Sequence, residues 1–182
     1  LSDGENFSKS SYSYLDASVG MSFNSQVGAN VNNNFFAGLA YHHFNKAKNI
    51  SFYSDNNTEM TPKFVISGGI RMSMTDISYF TIQADHTSQG AYQETIGGAL
   101  YSWKLDDTEN PKYTFHAGAY LRWKDALIPV AKIECNPIAV AVSYAGNISP
   151  LKSGSKGRGG FEVSLTYQKF ANRYNSSKEA VR

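Results

Sequence analysis

The stretch YTFHAGAYLRW, residues 113–123, alternates apolar and polar positions over its whole length. One set is Tyr113, Phe115, Ala117, Ala119, Leu121 and Trp123, and the other is Thr114, His116, Gly118, Tyr120 and Arg122. Successive side chains of a strand point to opposite faces, so this pattern predicts a strand with one apolar face. The same alternation returns in FEVSLTY, where Phe161, Val163, Leu165 and Tyr167 share a face.

Alternation with a period of two recurs along the chain and predicts about nine strands. The predicted strands lie near 14–24, 34–43, 63–74, 77–87, 91–103, 112–123, 126–135, 138–146 and 157–170. Most have about 10–12 residues, which is longer than strands of globular sheets and matches tilted strands that span a membrane. We expect a bulge at Pro129, because proline cannot donate a ladder hydrogen bond.

The connections between these strands differ in length. Long polar loops at about 44–62 and 147–159 fall on one side of the predicted sheet, and tight turns at Thr75-Asp76 and Asn136-Pro137 fall on the other. A further tight turn, Lys124-Asp125, falls on the side of the long loops. Outer-membrane barrels have short turns on the periplasmic side and longer loops outside, so the connections support a barrel weakly.

Composition excludes several classes of protein. The net charge of +2 is too small to suggest a nucleic-acid partner, and the single cysteine, Cys135, excludes an internal disulfide. No segment has the run of about 18 apolar residues that a transmembrane helix needs. No signal peptide is visible and the chain begins with Leu1, so we expect a processed chain or a fragment.

Aromatic residues concentrate near the predicted strand ends. They are Tyr12, Tyr14, Tyr41, Phe44, Tyr79, Phe80, Tyr101, Trp103, Tyr113, Trp123, Tyr144, Tyr167 and Phe170. This placement is typical of the aromatic girdles of membrane barrels. The alternative is ordinary packing in the core of a β-sandwich.

No motif indicates catalysis or a cofactor. His42 and His43 are adjacent, so on a strand they point to opposite faces, and the other two histidines, His86 and His116, are isolated in sequence. The acidic loop at 106–110 lacks the glycine and the terminal glutamate of a calcium-binding loop. A serine–histidine–acid triad is defined by geometry, so the sequence neither nominates nor excludes one. We therefore predict a protein that is not an enzyme, with no catalytic residue, metal or cofactor.

From about Tyr14 to its end, the chain resembles the PorP/SprF family of the type IX secretion and gliding-motility apparatus of Bacteroidota. Four blocks in order carry the resemblance: YLDASVGMSFN, FFAGLAYHHFNKAKNISF, HAGAYLRWKDALIPV and IAVAVSYAGNISPLKSGSKGRGGFEVSLTYQKF. The resemblance implies an all-β, transmembrane antiparallel barrel in the outer membrane. This chain would be the C-terminal portion of a longer protein and would supply about nine strands of a larger barrel.

The family resemblance also implies partners. Members assist secretion or surface attachment of an adhesin or another type IX substrate, and others act with the secretion machinery. We therefore expect contacts with outer-membrane lipid, with the C-terminal domain of a secreted substrate or adhesin, and with secretion-machinery proteins, but not with nucleic acid. We expect residues 1–12 to be a linker from a missing N-terminal part, 13–170 to hold the barrel strands, and 171–182 to be a polar periplasmic tail.

Two sets of residues are candidates for partner binding. Lys152, Lys156 and Arg158 give the predicted outer loop a basic edge, and the alternative, which the residues themselves favour, is that they are solvated loop charges. For a partner that docks from the lumen, the candidates are Asp16, Arg71, His116, Arg122 and Glu162. Charges inside a barrel more often pair with each other.

Two other functions stay open from the sequence. A soluble, secreted β-sandwich that binds carbohydrate or protein would have strands of about 5–6 residues. An outer-membrane enzyme that modifies lipid would have a convergent cluster of histidine, serine and acidic side chains near one rim.

Overall fold

The structure is a computed structural model that describes residues 11, 13–30, 32–48, 59–106, 111–149 and 159–168. It contains nine strands: β1 (Val19–Gln26), β2 (Asn34–His42), β3 (Lys63–Thr75), β4 (Ser78–Gln89), β5 (Tyr92–Lys104), β6 (Tyr113–Arg122), β7 (Ala126–Cys135), β8 (Ile138–Asn147) and β9 (Gly160–Tyr167). The described part of the chain contains no helix that could span a bilayer. The predicted number of strands and their order are confirmed.

All nine strands form one antiparallel sheet in which each strand pairs with its neighbours in sequence. Strands β1 and β9 form the two edges and do not pair with each other in the described structure, so the sheet is open. Because the strand count is odd, β1 and β9 run in the same direction. Closing this sheet with antiparallel pairs alone would therefore require an odd number of further strands.

The register places the two sets of alternating side chains on opposite faces of the sheet. Ser102, His116 and Lys132 are direct cross-strand partners and lie on one face, which we call the inner face. Ile82 and Ala99 are partners on the other, the outer face. The apolar sets predicted for 113–123 and 161–167 lie on the outer face.

The sheet has almost no apolar core. The only buried hydrophobic residues in the described part of the chain are Ala47, Ala126 and Ile128. Large apolar side chains of the outer face are instead exposed, for example Leu165 at 74% and Met21 at 72%. A soluble domain of this size would bury such residues, whereas a strand of an outer-membrane barrel turns them toward lipid.

Large aromatic side chains of the outer face form two groups, one near each end of the strands. Near the connections at 76–77 and 136–137, which we call the short-turn end, lie Phe35, Phe80, Tyr101, Trp103, Tyr113, Phe115 and Tyr167. Near the opposite, long-loop end lie Tyr41, Phe64, Tyr144 and Phe161. Trp103 contacts Tyr101 and stacks on Phe115, with ring centroids 4.3 and 6.0 Å apart. Two aromatic belts with an aliphatic band between them are typical of membrane barrels.

Two local expectations need correction. Tyr79 belongs to no girdle, because it pairs with Ser102 and therefore lies on the inner face. Pro129 causes no bulge: the β7–β8 register is the same before and after it. The irregularity lies instead in the β3–β4 pair, between Ser73 and Thr75. Two predicted girdle residues, Tyr12 and Phe170, lie outside the described residues.

Candidate functional site

A polar cluster lies on the inner face at the short-turn end, where three neighbouring strands bring their polar positions together. Ser102 of β5 and His116 of β6 are cross-strand partners, and their Oγ and Nδ1 atoms are 2.8 Å apart. The other ring nitrogen of His116, Nε2, lies 3.4 Å from Oε1 of Glu134 on β7. The same Glu134 oxygen also pairs with the ammonium group of Lys132. His116 thus joins a buried hydroxyl on one side to an ion pair on the other.

Aromatic contacts extend this cluster across two more strands. Tyr79 of β4 meets the His116 ring edge-on at 6.2 Å between centroids. The guanidinium carbon of Arg71 on β3 lies 4.7 Å from the centroid of the Tyr79 ring, which is a cation–π distance. A continuous set of side-chain contacts therefore crosses the inner face from β3 to β7.

The Ser102–His116–Glu134 arrangement has the residue types of a hydrolase triad, but its surroundings do not suit catalysis. Ser102 is 1% exposed, so a substrate carbonyl has no path to its hydroxyl. β5 pairs with a strand on each side, which engages its backbone N–H groups in ladders and leaves no donors for an oxyanion. The ring is also reversed, because its Nδ1 faces the serine and its Nε2 faces the acid. The cluster is best explained as a structural network.

A cavity of about 380 Å³ opens on the inner face at the short-turn end. It is lined by Asn32, Arg71, Tyr79, Lys104, Pro111, Lys112, Thr114, Lys132, Glu134, Asn136, Pro137, Ile138, Ala139, Thr166 and Gln168. Asn32 belongs to the β1–β2 connection and Gln168 follows β9, so both edges of the sheet contribute to one cavity and the sheet is strongly curved. Four of the lining side chains are basic and one is acidic. We call this space the basic cavity.

Charged side chains at the long-loop end pair with one another within the sheet. Arg122 lies 3.3 Å from a Glu94 oxygen through Nε and donates to Asp125 through NH1 at 3.0 Å. The hydroxyl of Tyr92 donates to the same Glu94 oxygen at 3.0 Å. The pairing expected for interior charges is therefore present at this end of the sheet.

The segment before β1 is tied to the chain after β2. The Asp16 carboxylate lies 2.9 Å from Nδ1 of His43. The side chain of Asn45 accepts a hydrogen bond from the Ala17 N–H at 3.1 Å and donates to the Leu15 carbonyl at 2.7 Å. Asp16 is thus a local partner of this corner and does not line the basic cavity.

The candidate residues from the sequence fall into different places. Lys152, Lys156 and Arg158 lie outside the described residues. Strand register puts Arg71, His116, Arg122 and Glu162 on the inner face, but only Arg71 lines the basic cavity. The sequence did not predict that Lys104, Lys112, Lys132 and Glu134 belong to one site. Their only signal in the sequence was a charged residue within a few positions of a strand end.

No group of three or more histidine, cysteine, aspartate or glutamate side chains could hold a metal ion in the described part of the chain.

The model of a family described as "Type IX secretion system membrane protein PorP/SprF" matches residues 2–167 of the 182. No curated protein and no solved structure matches the chain.

Proposed function

The chain belongs to the PorP/SprF family of type IX secretion system membrane proteins, and from this membership we propose a specific role for it. It forms part of a barrel in the outer membrane, and it assists the secretion or the surface attachment of a partner adhesin or another secreted protein. In this role it acts by binding, and no catalysis is involved.

The observation that carries the proposal is that large apolar side chains lie exposed on the outer face, whereas a soluble protein would bury them in a core. The outer faces of the edge strands alone expose Met21 at 72%, Phe23 at 61%, Phe161 at 70% and Leu165 at 74%. Apolar surface left in water costs about 25 cal/mol for each Å², so this outer face supports a position against hydrocarbon. Polar and paired side chains on the inner face complete the arrangement of a barrel wall.

The two other functions receive less support. A soluble β-sandwich requires two packed sheets of short strands, but the described residues form one sheet with strands of 8 to 13 residues. A lipid-modifying enzyme requires a reactive serine within reach of lipid. The serine of the histidine–acid cluster, Ser102, is buried on the inner face instead.

The two ends of the sheet would contact different partners, one in the periplasm and one outside the cell. If the short turns face the periplasm, as in other outer-membrane barrels, the basic cavity opens toward the secretion machinery. The connections at 43–62 and 148–159 would then face the exterior, where a secreted partner is held. Lys152, Lys156 and Arg158 belong to the second of these connections, and we propose them as contacts for that partner.

Deleting the gene in its native host tests this function. We expect the protein in the outer-membrane fraction of wild-type cells, with a gel mobility that changes on boiling. In the deletion strain, one secreted protein or a small group of them should disappear from the cell surface while the other outer-membrane proteins remain. Recovery of the protein in a soluble fraction, or an unchanged set of surface proteins, would contradict the proposal.

A further inference from the structure

We propose that the basic cavity binds an acidic, extended polypeptide segment of a protein partner. The inference rests on the proposed function for its choice of a protein as the ligand. The existence of an anion-binding site rests on the structure alone, because the cavity brings together Arg71, Lys104, Lys112 and Lys132.

The positive charge of this cavity is not fully neutralised by its own carboxylates. Glu134, the one acidic residue in the lining, is already engaged by Lys132 and His116. Neither Arg71 nor Lys112 has an ion-pair partner within the described ranges. Two cations at the rim of one cavity therefore lack a counter-charge that the described residues could supply.

Two acidic residues of the described turns, Asp76 and Asp106, lie outside the cavity lining. The Asp106 carboxylate accepts backbone N–H bonds from Lys112 at 3.0 Å and from Tyr113 at 3.2 Å, so it holds the start of β6. Asp76 lies in the β3–β4 turn outside the cavity lining, and its carbonyl accepts a bond from the Lys104 ammonium at 3.3 Å.

Arg71 is positioned to receive a carboxylate. Its guanidinium lies over the Tyr79 ring at 4.7 Å, and that ring is itself held by its contact with His116. Stacking occupies the flat face of a guanidinium and leaves its N–H edge available for a bidentate bond to a carboxylate. Such a site binds a planar carboxylate, which offers two oxygens, more tightly than an anion that lacks this geometry.

The distribution of donors favours a polypeptide over a single small anion. The four cations come from β3, β5, β7 and the residue before β6, so they surround the cavity. The same lining contains the amide side chains of Asn32, Asn136 and Gln168, which can donate to and accept from a peptide backbone. The volume of about 380 Å³ is within the usual range of ligand sites, and a second space of about 190 Å³ beside it shares Asn32, Arg71, Tyr79 and Lys104.

A binding measurement on the purified full chain in detergent micelles tests the site. The probe is a short fluorescent peptide of alternating glutamate and serine, compared with the same peptide carrying glutamine in place of glutamate. We expect the acidic peptide to bind and the glutamine peptide not to bind, with an affinity that falls as salt rises. Equal binding of both peptides, or binding that is independent of salt, would overturn the inference.

Single substitutions that each remove one positive charge test which residues bind the acidic peptide. Arg71→Gln and Lys112→Gln should each weaken binding about threefold to tenfold, between the effects of an exposed ion pair and a charge-assisted hydrogen bond. Lys63→Gln is the control, because it removes one charge from the inner face of the same strand, eight residues or about 27 Å away at the long-loop end. Arg71→Lys preserves the charge but loses the stacked, bidentate geometry, so it should bind more tightly than Arg71→Gln and less tightly than the wild type. An equal loss in Lys63→Gln would refute the assignment.

Two further results separate the inference from its alternatives. Complete displacement of the acidic peptide by inorganic phosphate at low concentration would identify a small-anion site and overturn the polypeptide proposal. If the peptide does not bind but deletion of the gene abolishes surface display, the inference fails and the proposed function stands. If the peptide binds as expected and deletion changes no surface protein, the proposed function fails.

Discussion

A lysine at position 82 distinguishes a sheet in a membrane from the same sheet in water. Ile82 lies on the outer face of β4 between Ile70 and Ala99, and it is 48% exposed. In water, a lysine at so exposed a site would change the free energy of unfolding by about 0.5 kcal/mol at most. In a bilayer, the same side chain has to bring its charge into hydrocarbon.

The depth of Ile82 sets the size of the effect. It is the fifth of the twelve residues of β4, which begins at Ser78. At about 3.4 Å for each residue and a tilt of about 40°, it lies about 10 Å from the short-turn end of the strand. That depth is close to the middle of an apolar band about 25 Å tall, where a lysine costs about 2–4 kcal/mol. Ile82→Lys should lower the free energy of unfolding by this amount in lipid.

Urea unfolding in lipid vesicles, followed by the fluorescence of Trp103 and Trp123, measures this loss. Gln83→Lys is the control, because it places the same charge one residue further along on the inner face. We expect the control to unfold close to the wild-type urea concentration and Ile82→Lys to unfold at a clearly lower one. Equal midpoints for the two variants would show that the outer face does not contact hydrocarbon.

Two further predictions concern the sheet itself. A Cβ added at Gly118 would lie 2.0 Å from the backbone oxygen of Ala99, so Gly118→Ala should separate β5 from β6 and cost about 2–4 kcal/mol through overpacking and lost ladder bonds, measured by urea unfolding. Gly97→Ala, with its nearest neighbour at 3.5 Å, should be nearly neutral, and an equal loss in both variants would contradict this reasoning. His116→Ala leaves the Ser102 hydroxyl buried without its ring partner and should cost about 1–3 kcal/mol. The double variant with Ser102→Ala should lose less than the two single losses added together, and strict additivity in thermal melts would show that the two side chains are not coupled.

Local alternation was sufficient to predict most of the fold. Side chains of a strand alternate whatever the neighbouring strands do, so residues 113–123 and 161–167 could be divided into two faces from sequence alone. Two predictions failed, at Tyr79 and at Pro129, because the chemistry of these residues fits more than one position in a sheet. Tyr79 has both an apolar ring and a hydroxyl, and only its register against Ser102 places it on the inner face. Pro129 lacks an N–H, but the pairing on either side of it keeps the register, which a single strand cannot reveal.

The amino-acid sequence by itself determined the strands, their order, the lipid-compatible face and the family, because each depends on patterns within a strand or on short blocks of residues. The tertiary structure alone decided which inner-face residues meet. Ser102, His116 and Glu134 come from three strands, and Arg71 and Lys132 are 61 positions apart in the chain but line one cavity. Their meeting depends on hydrogen-bond register and on the curvature of the whole sheet. Both properties arise from pairing between strands, and no single segment contains them.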